Sequence, residues 1–353
     1  MPEEAMKAHY FVDEAGRTLP FVQNLNDCYE RAVYFSVANS VADIDSYQSI
    51  FIGDLSFCLQ LESNNRNLKL STYKNLFAGA ITLDRAFFIK NNATEALAGI
   101  EEWLNRKDYL LLRTAENKLP FLRRFAPEAI NDESYNPGHL LLLLWHDESN
   151  LYFVENPLNL CPERFTAFYA NPEVGIISKK EMIEALGHFS EVFTVRIHPH
   201  LLNKVGKSPL NVLSHYTEHY ETVTFEDGVQ FYYNRQALRK LVQLCKEESL
   251  YLNLDYSRPD ENKLLVGLDR IIRRRRLFYD YICDKNHDSK FTSLLESNIQ
   301  GYEMARYDIL SGILRGNWLL HKEYAPHFEY ILTTEDEIYG TREAEAWLMS
   351  FSG

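Results

Sequence analysis

Apolar and polar positions change texture twice along this chain. From Cys28 to about residue 42, the positions Ala32, Val33, Tyr34, Phe35, Val37, Ala38 and Val41 leave almost no polar face. A helix that is apolar all round is a buried one, so this stretch predicts a central buried helix. Asp27 and Glu30 frame its start as a capping box, with an acid at the N-cap and Glu three residues later. Residues 47–90 read as mixed short elements. Residues 94–106 put Leu97, Ile100, Trp103 and Leu104 on one face of an amphipathic helix, and Asp108 to Thr114 reads as a buried strand. Beyond a loop with Pro120, Pro127 and Pro137, His139 opens the apolar run from Leu140 to Trp145. The turn His146–Asn150 and a strand from Leu151 then complete an antiparallel hairpin. A short helix over 178–188 and an alternating strand from Val192 to His198 follow.

After about residue 205 strand patterns nearly vanish, apart from Val223–Tyr232. Helices are predicted over 208–221, 234–250, 260–284, 288–319 and 341–351. The pattern predicts an α+β domain over residues 1–205 and an all-helical domain over 206–353.

Composition narrows the function classes. The 353 residues suit two domains, or one large core with an appendage, and 46% hydrophobic with 25% charged content is that of a globular protein with large apolar surfaces to bury. A net charge of −13 argues against nonspecific binding to nucleic acid or to anionic membranes, and is neutral to favourable for basic small molecules such as polyamines or aminoglycosides. The longest unbroken apolar run, Leu140 to Trp145, is far too short for a membrane span. The cysteines at 28, 58, 161, 245 and 283 are odd in number, widely spaced and form no CxxC, which disfavours a disulfide framework or a zinc ribbon and favours a reducing cytoplasm. The first residues carry no basic-then-apolar secretory pattern. No cofactor or metal is expected.

One constellation carries chemistry. A cysteine nucleophile needs a lowered pKa, a base within reach, a group that orients the base, and a donor for the oxyanion. Cys28 stands at a helix N-terminus, where the macrodipole and free N–H groups favour a thiolate. His139 stands at the mouth of a core strand, and Glu155 and Asn156 end the neighbouring strand. Adjacent antiparallel strands bring opposed side chains within about 5.5 Å. Alternation sends Asn156 and Glu155 to opposite faces, so only one of them orients His139. Gln23 lies five residues before Cys28, as a candidate donor to the oxyanion.

The order Gln23, Cys28, His139, Asn156 resembles that of papain-like enzymes, whose amide orienter makes Asn156 the preferred choice and Glu155 the alternative. The segment from Gln23 to Val41 resembles the Gln…Asp-Cys…Ala opening of bacteriocin-processing cysteine peptidases, and His139–Pro157 resembles their His, apolar strand, turn, strand, Asp-Pro stretch. The better match is to the butirosin-biosynthesis acyltransferase family, cytoplasmic relatives of that fold. Three departures are visible: Tyr29 follows the cysteine where the peptidases usually carry Gly, Gln23 lies one residue closer to it, and Asn156-Pro157 replaces Asp-Pro. The resemblance implies a papain-like cysteine-peptidase fold, a central buried helix packed on an antiparallel sheet, followed by a helical extension. It implies transfer of an acyl group from an acyl carrier protein's thioester to Cys28 and then to a small-molecule amine acceptor, in specialised-metabolite biosynthesis. A cysteine peptidase or amidase on the same fold, and a catalytically silent papain-like binding protein, are the alternatives.

Two other features invite a functional reading. His215 and His219 flank Glu218 at helical i, i+4 spacing, but no third metal ligand accompanies them, and a solvated helix face is the simpler account. Arg273–Arg276 spans a full helical turn among Leu268, Ile271, Ile272, Leu277 and Phe278. It reads as a partly packed, salt-bridged helix, or as a docking patch for an acidic carrier or its phosphopantetheine phosphate.

Overall fold

The computed structural model describes residues 28–38, 51–52, 55–62, 68–72, 80–89, 92–106, 110–115, 118–119, 138–154, 169–171, 174–186, 190–201, 222–252, 262–284 and 289–339. In chain order its elements are α1 (Cys28–Ala38), β1 (Phe57–Glu62), β2 (Leu68–Thr72), β3 (Ile81–Ile89), α2 (Ala93–Asn105), β4 (Leu110–Ala115), β5 (Gly138–His146), β6 (Asn150–Val154), β7 (Tyr169–Asn171), β8 (Val174–Ser178), α3 (Lys179–Leu186), β9 (Ser190–Ile197), β10 (Val223–Glu226), β11 (Val229–Tyr233), α4 (Asn234–Glu247), α5 (Lys263–Asp284), α6 (Ser289–Leu314) and α7 (Ala325–Tyr339). These are mixed helices and antiparallel sheets, and the C-terminal part is mainly helical. Among the described residues no helix is long and apolar enough to cross a membrane. The chain divides into two compact units, one of residues 1–45 and 79–202, the other of 46–78 and 203–353.

In the first unit seven strands form one sheet in the order β3-β9-β4-β5-β6-β8-β7. Leu110, Leu111, Leu112, Leu141, Leu142 and Leu143 are all fully buried, because β4 and β5 lie in the middle of the sheet with both faces covered. The pleat sorts these leucines. Leu110, Leu112, Leu141 and Leu143 pack with Leu97, Ile100 and Leu104 of α2 and with Met182, Ala185 and Leu186 of α3. Leu111, Leu142 and Leu144 pack with Ala32 of α1 on the opposite face. Each fully buried leucine side chain stabilises by about 1.5–3 kcal/mol. Helix α2 begins where Asn92 caps it, accepting from the Thr94 and Glu95 amides at 3.2 Å; such a cap contributes about 1 kcal/mol. The hairpin of β5 and β6 turns on Asp147, whose carboxylate accepts from the Ser149 and Asn150 amides, both at 2.7 Å, and from the Tyr152 hydroxyl at 2.8 Å.

The second unit corrects the expectation of an all-helical domain over 206–353. Residues 46–78 fold with it, and it contains a four-stranded antiparallel sheet, β10-β11-β1-β2. Strand β1 pairs with β2 nearby and with β11 far along the chain, Cys58 opposite Tyr233 and Glu62 opposite Val229. Local periodicity carries no trace of such a pairing. The strand-patterned stretch Val223–Tyr232 is a hairpin whose turn residues Asp227 and Gly228 both have positive φ, 47° and 80°. An Asp-Gly pair is the residue choice that such a turn demands. Asn234 then starts α4 with φ 45°, and its buried side chain accepts from the Phe57 amide at 2.9 Å, tying helix to sheet. Gly267 lets α5 press on β2, since a Cβ there would stand 2.3 Å from the Leu70 carbonyl oxygen. Helix α7 stands where the sequence pattern predicts no helix; the helix expected over 341–351 and that over 208–221 lie outside the described residues.

The docking reading of the arginine run is also corrected. Arg273 bonds Asp269 at 2.8 Å, and Arg274, buried, donates to the Phe51 and Ile52 carbonyls at 2.6 and 2.9 Å. Arg275 is fully buried. It pairs with Glu335, donates to Asn298 at 3.0 Å, and lies 4.7 Å from the Tyr302 ring centre. Arg276 pairs with Glu303 on α6. The run holds α5 to its neighbours because one helical turn faces every direction, and here three of those directions contain protein.

Candidate functional site

Helix α1 starts at Cys28, and its described positions Glu30, Ala32, Val33, Tyr34, Ser36 and Val37 are all buried. A mostly apolar sequence has made a buried helix, as the pattern implies, with Glu30 and Ser36 as buried polar positions within it. Ser36 keeps its hydroxyl satisfied inside the helix by donating to the Ala32 carbonyl at 2.9 Å. The helix lies on the sheet face that carries Leu111, Leu142 and Leu144.

His139 is half-buried at the second position of β5, directly opposite Thr114 of β4. Thr114 is buried; its hydroxyl donates to the Ala185 carbonyl in α3 at 3.3 Å and accepts from Ser190 at 2.9 Å. Directly opposed residues of an antiparallel pair share a face. His139 is therefore in phase with Thr114, Leu141 and Leu143, on the α2–α3 side, whereas α1 covers the other side. A Cys28–His139 pair requires the imidazole to leave that phase at the strand's first turn. Gln23, Glu155, Asn156 and the Cys28 side chain lie outside the described residues, as do His215 and His219.

No protein-family model matches this chain, and no curated protein matches it in sequence.

The remaining thiols sharpen the candidate. Cys58 and Cys245 are buried, and desolvation pushes each thiol up to about 12, where almost no thiolate exists at neutral pH. Cys283 is exposed, and Cys161 lies outside the described residues. Among the described residues no group of His, Cys, Asp and Glu is arranged to hold a metal. One cluster was not singled out in the sequence: Arg85, Arg113 and Glu191 meet on the α1 face of the sheet, beside the start of β5. The alternating pattern in the sequence begins at Val192, one residue after Glu191, whereas β9 itself begins at Ser190.

Proposed function

We propose that the chain is a cysteine acyltransferase that takes an acyl group from a carrier-protein thioester and passes it to the amine of a small molecule. What supports the reading is a buried helix that opens at Cys28 and lies on a central antiparallel strand with His139 at its start, in one compact unit. The Cys28 thiolate attacks the thioester carbonyl, and the carrier's thiol leaves with a proton from His139. The acceptor amine then attacks the Cys28 thioester and gives its proton to His139, and Cys28 leaves as thiolate. Asn156, or Glu155 in its place, orients the imidazole, and Gln23 donates to the oxyanion. The unpaired Cys58, Cys245 and Cys283 suit a reducing compartment such as the cytoplasm.

A second reading, a papain-like binding protein without catalysis, is favoured by the phase of His139 on the side of the sheet away from α1. Mass spectrometry separates the readings. Incubation with an acyl-pantetheine thioester is expected to add one acyl group at Cys28, which a primary amine then removes. Release by water alone would indicate a hydrolase, and no adduct would indicate the binding protein.

A further inference from the structure

Glu191, on β9, has a side chain only 4% exposed, yet the two groups that neutralise it face solvent. Arg85 reaches it from β3 at 2.6 Å and Arg113 from β4 at 3.3 Å; these side chains are 61% and 51% exposed. The sheet explains the convergence. Arg113 is the direct cross-strand partner of Glu191. Arg85 stands opposite Phe193 and approaches diagonally, next to a register shift between Arg85 and Phe87. A bulge of this kind re-aims a side chain and recurs beside functional sites.

Two guanidiniums and one carboxylate leave a net charge of +1 on a chain whose net charge is −13. Each guanidinium carries five N–H donors. Among the described residues neither meets an acceptor other than Glu191. Both guanidiniums converge on the two oxygens of one buried carboxylate, which holds them in place. That is a preorganised pair of donors for an oxyanion, which arginine binds in fork geometry. Arg113 lies opposite Leu140, next to His139 in the strand. Around the cluster, Leu83, Leu140, Phe193 and Val195 are only partly buried and give the same face an apolar floor.

We infer that Arg85 and Arg113, braced by Glu191, bind the phosphodiester of the donor's pantetheine arm. A net charge of +1 matches a singly charged oxyanion, and the diester that joins such an arm to a carrier serine is one. The identity of the ligand rests on the acyl-transfer reading; the anion site itself does not.

The test is calorimetric titration of Cys28→Ala protein with pantetheine 4′-methyl phosphate, with pantetheine and with inorganic phosphate. Using Cys28→Ala separates this result from any failure of chemistry at the cysteine. The diester is expected to bind at least about tenfold tighter than pantetheine, with an affinity that falls as salt rises. Arg85→Gln and Arg113→Gln, both at solvent-facing positions, are expected to erase that difference. Glu191→Gln removes the compensating charge and is expected to tighten the diester, a result that a purely structural ion pair does not produce. Equal affinity for diester and pantetheine, or a preference that survives both arginine substitutions, would overturn the inference. Inorganic phosphate binding as tightly as the diester would reduce the cluster to a free-anion site and overturn the pantetheine assignment.

Discussion

Thr114 stands directly across from His139 and donates its hydroxyl to the Ala185 carbonyl of α3 at 3.3 Å. That bond fixes the face of β4 to which this position belongs, and the pleat passes the assignment to His139. The face on which the imidazole works is thus the feature that separates an enzyme from a binding protein here.

Thiol labelling reads that face. In a background carrying Cys161→Ser and Cys283→Ser, iodoacetamide at mildly acidic pH is expected to modify Cys28 first, because Cys58 and Cys245 are held as thiols with values near 12. His139→Ala is expected to slow Cys28 labelling by on the order of tenfold or more, since a paired imidazole is what sustains the thiolate at that pH. An unchanged rate in the His139 variant would place the imidazole on the α3 side and favour the binding protein.

The buried Arg275–Glu335 pair should respond asymmetrically. Removing one partner, as in Glu335→Ala, leaves a charge inside the second unit and is expected to cost about 3–5 kcal/mol in urea unfolding. A double variant, Arg275→Met with Glu335→Leu, is expected to lose less than either single change. A double variant as unstable as the sum of the singles would mean that Asn298 and Tyr302, which share the cluster at 3.0 Å from Arg275 and Glu335 respectively, depend on the charges.

Gly267 offers a steric test. A methyl group there would stand 2.3 Å from the Leu70 carbonyl oxygen and 2.5 Å from the Leu70 Cβ, neither of which is the free end of a side chain. Gly267→Ala is expected to destabilise by about 1–3 kcal/mol despite its better helix propensity. A stabilised variant would show that α5 and β2 do not touch in solution.

Asp147 should titrate low. Amide donors from Ser149 and Asn150 and the Tyr152 hydroxyl bring its carboxyl from 3.8 down to about 2. Because the folded value is the depressed one, the bonds to the carboxylate are intact above about pH 4 and are lost as pH falls through 2. NMR titration of the Asp147 carboxyl is expected to show this midpoint, and Tyr152→Phe should raise it by removing one donor. A midpoint near 4 in the native protein would mean that the turn does not hold these bonds.

Several elements were legible because their cause is local. Leu140–Leu144 is an apolar run whose length suits a strand buried on both faces, and β5 is that strand. The amphipathic face over 94–106 is α2, and the His146–Asn150 turn joins two patterned strands. The buried character of α1 followed from its nearly complete ring of apolar positions. Arg273–Arg276 shows the limit. Its helix was legible, but whether each arginine meets water, a backbone carbonyl or Glu335 depends on α6, α7 and residues 51–52, which lie far away in sequence.

By itself, then, the amino-acid order determined the strongly patterned elements, α1, α2 and the β5–β6 hairpin among them, but not α7 or the strands within residues 47–90. The patterned elements arise within a few residues, from backbone preference and side-chain period. Tertiary structure alone decided that residues 46–78 join the C-terminal unit, that β1 pairs with β11, and that His139 shares a face with Thr114 while α1 covers the other. It also brought Arg85, Arg113 and Glu191 together from three strands. Such choices are made by register and by which face a helix covers, and both are set by pairings between residues distant in the chain.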